Sequence, residues 1–248
     1  MIEFLEGECV MSIAARWIPM IALLLSASPS APPRSARPSF QDKLELQVAR
    51  YECRDASLAK CVLDLAYQYQ LPMGIHHLDR AAVQRHLSVT LTNATVKQVI
   101  EALVAKASGY RVRFSYGLVQ VYSPAGYGDL SNPLNTTIET FDIANLPRQE
   151  AEGRLLGALV SKLSPGAGYG GDAAYGPEPQ PLLTLRLKGA RVFEILDAIV
   201  AADGTSIWHM LPASLRSPTP AQGPPWVVYD LRRGTERVVL ERLNQLFR

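Results

Sequence analysis

The chain is poor in the residues that most often carry chemistry. Its 248 residues include three cysteines, four histidines and three tryptophans. The histidines are His76, His77, His86 and His209. His76 and His77 are adjacent, and adjacent side chains of a strand point to opposite faces, so they do not share a metal. Adding His86 still leaves fewer ligands than a protein metal site uses. A nucleotide loop is missing as well. Gly166 to Gly171 is rich in glycine, but it lacks the lysine and hydroxyl residue of a P-loop and does not lead into a helix. The chain has no Gly-x-Ser-x-Gly elbow, and neither Cys53 nor Cys61 has a base placed to activate it. An excess of one charge is absent too. Lys and Arg number 25 against 23 Asp and Glu, a formal charge of +2. Without a basic stripe interleaved with aromatics, nucleic acid is not an expected partner. The expectation is a protein without catalytic residues, cofactor or metal.

Long hydrophobic runs are also scarce. Trp17 to Leu25 is apolar, with Arg16 before it and the small residues Ser26 to Ala31 after it. This is the pattern of an export signal, and it is shorter than the roughly 20 residues a membrane span needs. A signal peptide and proline-rich spacer are therefore expected over 1–36, with the rest exported to the periplasm and carrying no stable membrane span once the leader is cleaved. Glu3, Glu6 and Glu8 have the wrong sign for the start of a signal, which makes Met11 an alternative start. Cleavage after Ser30 fits the small residues Ser28 and Ser30; an uncleaved leader acting as a tether is the alternative. No cysteine follows the apolar run, so a lipid anchor is not expected.

Cys9 leaves with that leader, and Cys53 and Cys61 remain. An even pair in an exported chain invites a disulfide. The competing reading places Cys61 in the apolar stripe Leu58, Cys61, Val62, Leu65, Ala66 and Tyr69, where a free thiol packs as a small hydrophobe. A helix starting at Ala56 would hold the two cysteines too far apart to bond unless the chain folds back.

What the chain does have is a repeated unit. Leu87, Val89 and Leu91 alternate with polar residues as in a half-buried strand. Thr95 and Gln98 form a capping box ahead of Val96, Val99, Ile100, Leu103, Val104 and Ala107, which line one helix face. Gly109 closes the helix. Tyr110, Val112 and Phe114 begin another strand, Gly117 marks a turn, and Leu118 to Tyr122 form a third strand. Thr184 to Asp203 repeats Ser88 to Ala107 without a gap, 96 residues later. Leu91 matches Leu187, Val96 matches Val192, and Ala102, Val104 and Ala105 match Ala198, Val200 and Ala201. After one deletion Gly109 falls on Gly204. A period this long suggests two copies of a small domain rather than a solenoid. Glu101 and Asp197 occupy equivalent positions on the polar helix face and read as solvated charges.

In chain order, Leu44, Leu46 and Val48 read as a first strand. Asp55 reads as the cap of a helix running to about Gln70, where Leu71-Pro72 stops it. Met73 to His76 is a short strand. The first unit is then β-α-β-β-α-β-β over 40–125, followed by a linker over 126–136 and a second unit over 137–231. In the second unit Thr137 to Ile143 is a strand, and Pro147 opens a helix whose buried stripe is Leu155, Leu156, Leu159, Val160 and Leu163. Insertions at 164–181 and 211–225 enlarge this unit. Tyr169, Tyr175 and Trp226 lie in or beside them and are the expected partner-contact residues. Thr235 caps a final amphipathic helix over 232–248. The expected class is α+β: two tandem two-layer domains plus a C-terminal helix.

The stretch Leu87-Ser-Val-Thr-Leu-Thr-Asn-Ala-Thr-Val-Lys-Gln-Val-Ile-Glu-Ala-Leu-Val, followed by Gly109-Tyr110-Arg111-Val112, resembles the short N-terminal domain shared by secretins and TonB-dependent receptors. The strand–helix–strand over 44–76 fits the first half of that domain. The resemblance covers 44–122 well and 137–230 more loosely. It implies an envelope module that works by protein–protein contact and has no catalytic residues. The partners it implies are an outer-membrane barrel, secretion or pilus machinery, or an inner-membrane regulator. Nothing after residue 248 is expected to form a barrel, so the chain is not expected to be a whole secretin or receptor. The expected function is a non-enzymatic adaptor acting through edge strands and the two inserted loops. Self-assembly into a homo-oligomeric scaffold is the alternative. A small hydrolase of envelope polymers using Glu178 or Asp172 is a third reading.

Overall fold

A computed structural model of the chain describes residues 38–76, 85–165, 181–210 and 225–231. The leader, His77, Tyr169, Asp172, Tyr175, Glu178 and the C-terminal segment 232–248 lie outside the described residues. The described residues form a mixed α and β fold, in keeping with the α+β class, with six α-helices and nine strands.

The first element is a helix, α1 (Phe40–Glu45), where alternation predicted a strand. Ser39 accepts from the Asp42 amide while the Asp42 carboxylate accepts from the Ser39 amide. That reciprocal cap fixes a helical turn, and an alternating apolar pattern does not register it. β1 follows at Gln47–Ser57 and runs well past the expected end. Its exposed Arg50, Glu52 and Arg54 hid it from a hydrophobicity pattern. Asp55 does not cap the next helix. It sits in a bulge with a φ of 45°, and Ser57 caps α2 (Leu58–Tyr69) by accepting from the Lys60 amide. β2 (Met73–His76), β3 (His86–Thr95) and α3 (Val96–Lys106) follow. Both capping-box bonds of Thr95 and Gln98 are present, at 2.8 and 3.2 Å. β4 (Arg111–Ser115) and β5 (Leu118–Tyr122) form a hairpin whose turn residues Tyr116 and Gly117 both have positive φ. The stretch expected as a linker holds α4 (Pro124–Gly128) and a 3-10 turn at Pro133–Asn135. Then come β6 (Thr137–Pro147), α5 (Arg148–Leu163), β7 (Leu182–Arg191), α6 (Val192–Asp203), β8 (Ser206–Met210) and β9 (Trp226–Asp230). On α5, Leu155, Leu156, Leu159 and Val160 are buried, whereas Leu163, at the last position of the helix, is 45% exposed.

Two antiparallel ribbons, β1–β3 and β6–β7, are built alike. In the first, Gln47 faces Thr95 and a bulge falls between Cys53 and Ala56. In the second, Thr137 faces Arg191 and a bulge falls between Ile143 and Leu146. The left-handed bulge residue is Asp55 in one and Asn145 in the other. In each bulge its amide donates to a hydroxyl of the facing strand, Ser88 or Thr184. Asn93 and Gly189, both at positive φ, also occupy matching places. These short polar or glycine residues tolerate the left-handed region that bulges and turns require.

The remaining strands form one five-stranded sheet in the order β4-β5-β2-β8-β9. β2 pairs parallel with β5 on one side and with β8 on the other. The first half and the second half of the chain therefore share this sheet. Alternation along the strands splits its side chains between two cores. Met73, Ile75, Val119, Val121 and Ile207 pack with α2 and α3 in one apolar cluster. Trp208, Met210 and Trp226 pack with α5 and α6 in the other. α6 touches β7 on one side and β2 and β8 on the other, so it lies between its ribbon and the shared sheet. β2 and β8, covered on both faces, are buried at every position.

Cys53 and Cys61 are joined as a disulfide, with a Cα–Cα distance of 6.2 Å. The bulge at Asp55 folds the chain back and moves the helix start to Leu58, which brings the pair within reach. The bond closes a short loop, and its removal is expected to cost about 2–3 kcal/mol by loop entropy. The second ribbon makes the same bulge without a disulfide. A Cys53→Ala/Cys61→Ala variant is therefore expected to keep the fold and show a lower urea midpoint; an unchanged midpoint would show that the bond adds nothing to stability.

Candidate functional site

The polar residues that the sequence pattern cannot explain meet at the junction of β2, β5, β8 and α6. Asp197 on α6 is 5% exposed. Its Oδ1 accepts from Trp208 Nε1 at 2.8 Å, and its Oδ2 accepts from Gln120 Nε2. His76 Nε2 stands 3.4 Å from Oδ2. Gln120 and His76 come from the first half of the chain, Asp197 and Trp208 from the second. The carboxylate thus ties the two halves across the shared sheet. Gly74 makes the approach possible. A Cβ at that position would collide with Asp197 Oδ1 and lie 2.7 Å from Trp208 Nε1. Glycine in a central strand is otherwise unfavourable, so its presence here follows from that close approach.

Aromatic rings enclose the junction. The His76 ring lies 4.7 Å from Trp208, 4.8 Å from Phe193 and 5.4 Å from Tyr127. Tyr127 also meets Tyr122 at 5.0 Å and Phe193 at 4.5 Å. Arg191 lies over Tyr127 and Phe193, and Arg113 over Tyr122. Burial, reinforced by the Asp197 charge, pushes the Tyr127 hydroxyl up to about 12, so it stays protonated at neutral pH. A shallow depression beside the junction is lined by His76, Tyr127, Leu134, Asn135 and Phe193, and it has no interior large enough for a water molecule. Asp197, with both oxygens engaged, is positioned as a structural clasp. Among the described residues no group of three or more His, Cys, Asp or Glu is placed to hold a metal ion.

His209 is buried on the opposite face of β8, and its Nδ1 lies 3.0 Å from the Met210 carbonyl oxygen. Burial lowers its pKa below the ordinary histidine value. A base depressed in the folded state contributes stability above its unfolded pKa of about 6.5 and loses it as pH falls through the folded value. The urea midpoint is therefore expected to drop between pH 7.5 and 5.5, and less steeply in His209→Leu. Equal slopes in the two proteins would remove His209 as the cause.

Of the expected site residues, Cys53 and Cys61 are brought together and Tyr169 and Tyr175 lie outside the described residues. Trp226 is 2% exposed and packs in the second apolar cluster, so its ring is a core element and not a contact surface. Glu101 is exposed as expected of a solvated charge. Its counterpart Asp197 is not, because the shared sheet covers that face of α6 and leaves the same face of α3 open. A lone glycine inside the strand Met73 to His76 was the one sequence signal of this junction.

At the surface, among the described residues, β4 is the outermost strand at one end of the sheet and pairs only with β5. Arg111 and Arg113 are exposed on it, and Tyr116 at the hairpin tip is 89% exposed. No described helix is long and apolar enough to cross a membrane. Comparison with known proteins finds no matching family model, curated relative or solved structure.

Proposed function

We propose that the chain is a non-enzymatic adaptor of the bacterial periplasm. In this reading it consists of two fused units of the secretin and TonB-receptor N-terminal type and works by contact with another envelope protein. The observation that carries this reading is the edge at β4, a half-exposed strand that among the described residues pairs on one side only and so leaves a row of backbone groups for a partner. The engaged carboxylate and the shallow depression at the junction fit a protein whose interior is structural. The resemblance of residues 87–112 to the N-terminal family points to the same kind of role. The expected partner is a barrel, a component of secretion or pilus machinery, or an inner-membrane regulator.

Crosslinking in intact cells of the source organism, followed by pull-down and mass spectrometry, tests the proposal. Repeated recovery of one envelope protein is the expected result. Self-crosslinks alone would replace the adaptor with a homo-oligomeric scaffold, and recovery of nothing would count against contact as the mode of action.

A further inference from the structure

We infer that the outer edge of β4 is a strand-addition site for an extended acidic segment of the partner protein. The inference rests on the contact reading above and names its surface and the chemistry of its ligand. Tyr116 and Gly117 form a two-residue turn with φ of 53° and 81°. In such a hairpin the closing pair, Ser115 and Leu118, is hydrogen-bonded in both directions, and so is every second pair along the ladder. Arg113–Gln120 and Arg111–Tyr122 are those pairs. The amide and carbonyl groups of Val112 and Phe114 therefore point away from β5, toward the open side.

Exposed edges are usually guarded by charge against pairing with copies of themselves. On β4 the guard has one sign. Arg111 and Arg113 project on one face of the edge, and Lys97 of α3 lies 5.5 Å over the Phe114 ring on the other. Arg113 is itself held over the Tyr122 ring at 5.5 Å. Among the described residues none of these three cations has an acidic partner within ion-pair distance. Glu101, one turn after Lys97 on α3, is exposed and marks the limit of the basic patch on that side. The ribbons differ. Arg50 and Arg54 both pair with Glu52 on β1, and Arg186 on β7 pairs with Asp142 on β6. A second copy of β4 would bring arginine against arginine, which cross-strand pairing disfavours. A strand with acids at alternate positions meets two arginines on one face and offers apolar side chains to the other.

The test uses the full chain and a labelled synthetic peptide, Gly-Glu-Val-Glu-Val-Glu-Gly, with its lysine analogue as control. The acidic peptide is expected to bind and to slow amide exchange at Val112 and Phe114. The double substitution Arg111→Glu/Arg113→Glu, made on exposed side chains, is expected to weaken acidic-peptide binding about tenfold or more and to gain binding of the lysine peptide. Equal binding of both peptides by the wild type, or indifference to charge reversal, would overturn the site. The same variant is then used for crosslinking in cells. Undiminished capture of the wild-type partner rejects the β4 site and leaves the contact reading standing. Capture by neither protein rejects the contact reading itself. Loss of capture in the variant alone supports both.

Discussion

Replacing Gly74 with alanine is expected to destabilise the fold by about 3–5 kcal/mol, from one added methyl group. The methyl would enter a strand covered on both faces, against the Asp197 carboxylate and the Trp208 indole nitrogen. Neither neighbour yields without breaking the 2.8 Å bond between them. Overpacking of a core costs about 1–3 kcal/mol, and a lost bond to a buried charge adds a similar amount. Against a typical stability of about 5–15 kcal/mol, the variant would be marginal. Chemical denaturation followed by tryptophan fluorescence measures this. An effect below about 1 kcal/mol, the size of an ordinary surface substitution, would show that the junction is looser than its geometry.

Asp197→Ala is expected to cost about as much, ~3–5 kcal/mol, by the opposite route. It creates space but leaves Gln120 Nε2 and Trp208 Nε1 buried without an acceptor. Asp197→Asn keeps one acceptor oxygen and is expected to cost less. The two junction substitutions should also be coupled. With the carboxylate gone, a Cβ at position 74 loses one of its collisions, so Gly74→Ala/Asp197→Ala should be more stable than the sum of the single changes predicts. Simple additivity would place the destabilisation somewhere other than their contact.

The parts of the fold that were legible in the sequence are those decided locally. The helix face from Val96 to Val104, the box of Thr95 and Gln98, and the strand Met73 to His76 each follow from spacing or capping within a few residues. What was not legible depends on partners distant in the chain. Asp197 and Glu101 hold equivalent repeat positions, yet one is covered by β2 and β8 and the other faces water. No periodicity within α6 reports what lies across from it. Trp226 reads as a loop-side aromatic because it directly follows Gly223-Pro224-Pro225 at the end of an insertion, and its pairing with Met210 places it in the second core. β1 was displaced for a related reason. Its outward face carries Arg50, Glu52 and Arg54, and its bulge interrupts the alternation at Asp55. The junction and the edge have a common origin: β2 joins the two halves through β8, and the sheet's far end is left to β4.

Among the described residues, the two halves of the chain form one body clasped through the shared sheet. Equilibrium unfolding followed by two probes tests it most directly. Fluorescence of Trp208 and Trp226 reports the second cluster, and hydrogen exchange of the α3 and β1–β3 amides reports the first. Coincident midpoints are expected, shifting together in Asp197→Ala. Amides of α3 that stay protected after the tryptophan signal has melted would contradict the claim and return the chain to two independent domains.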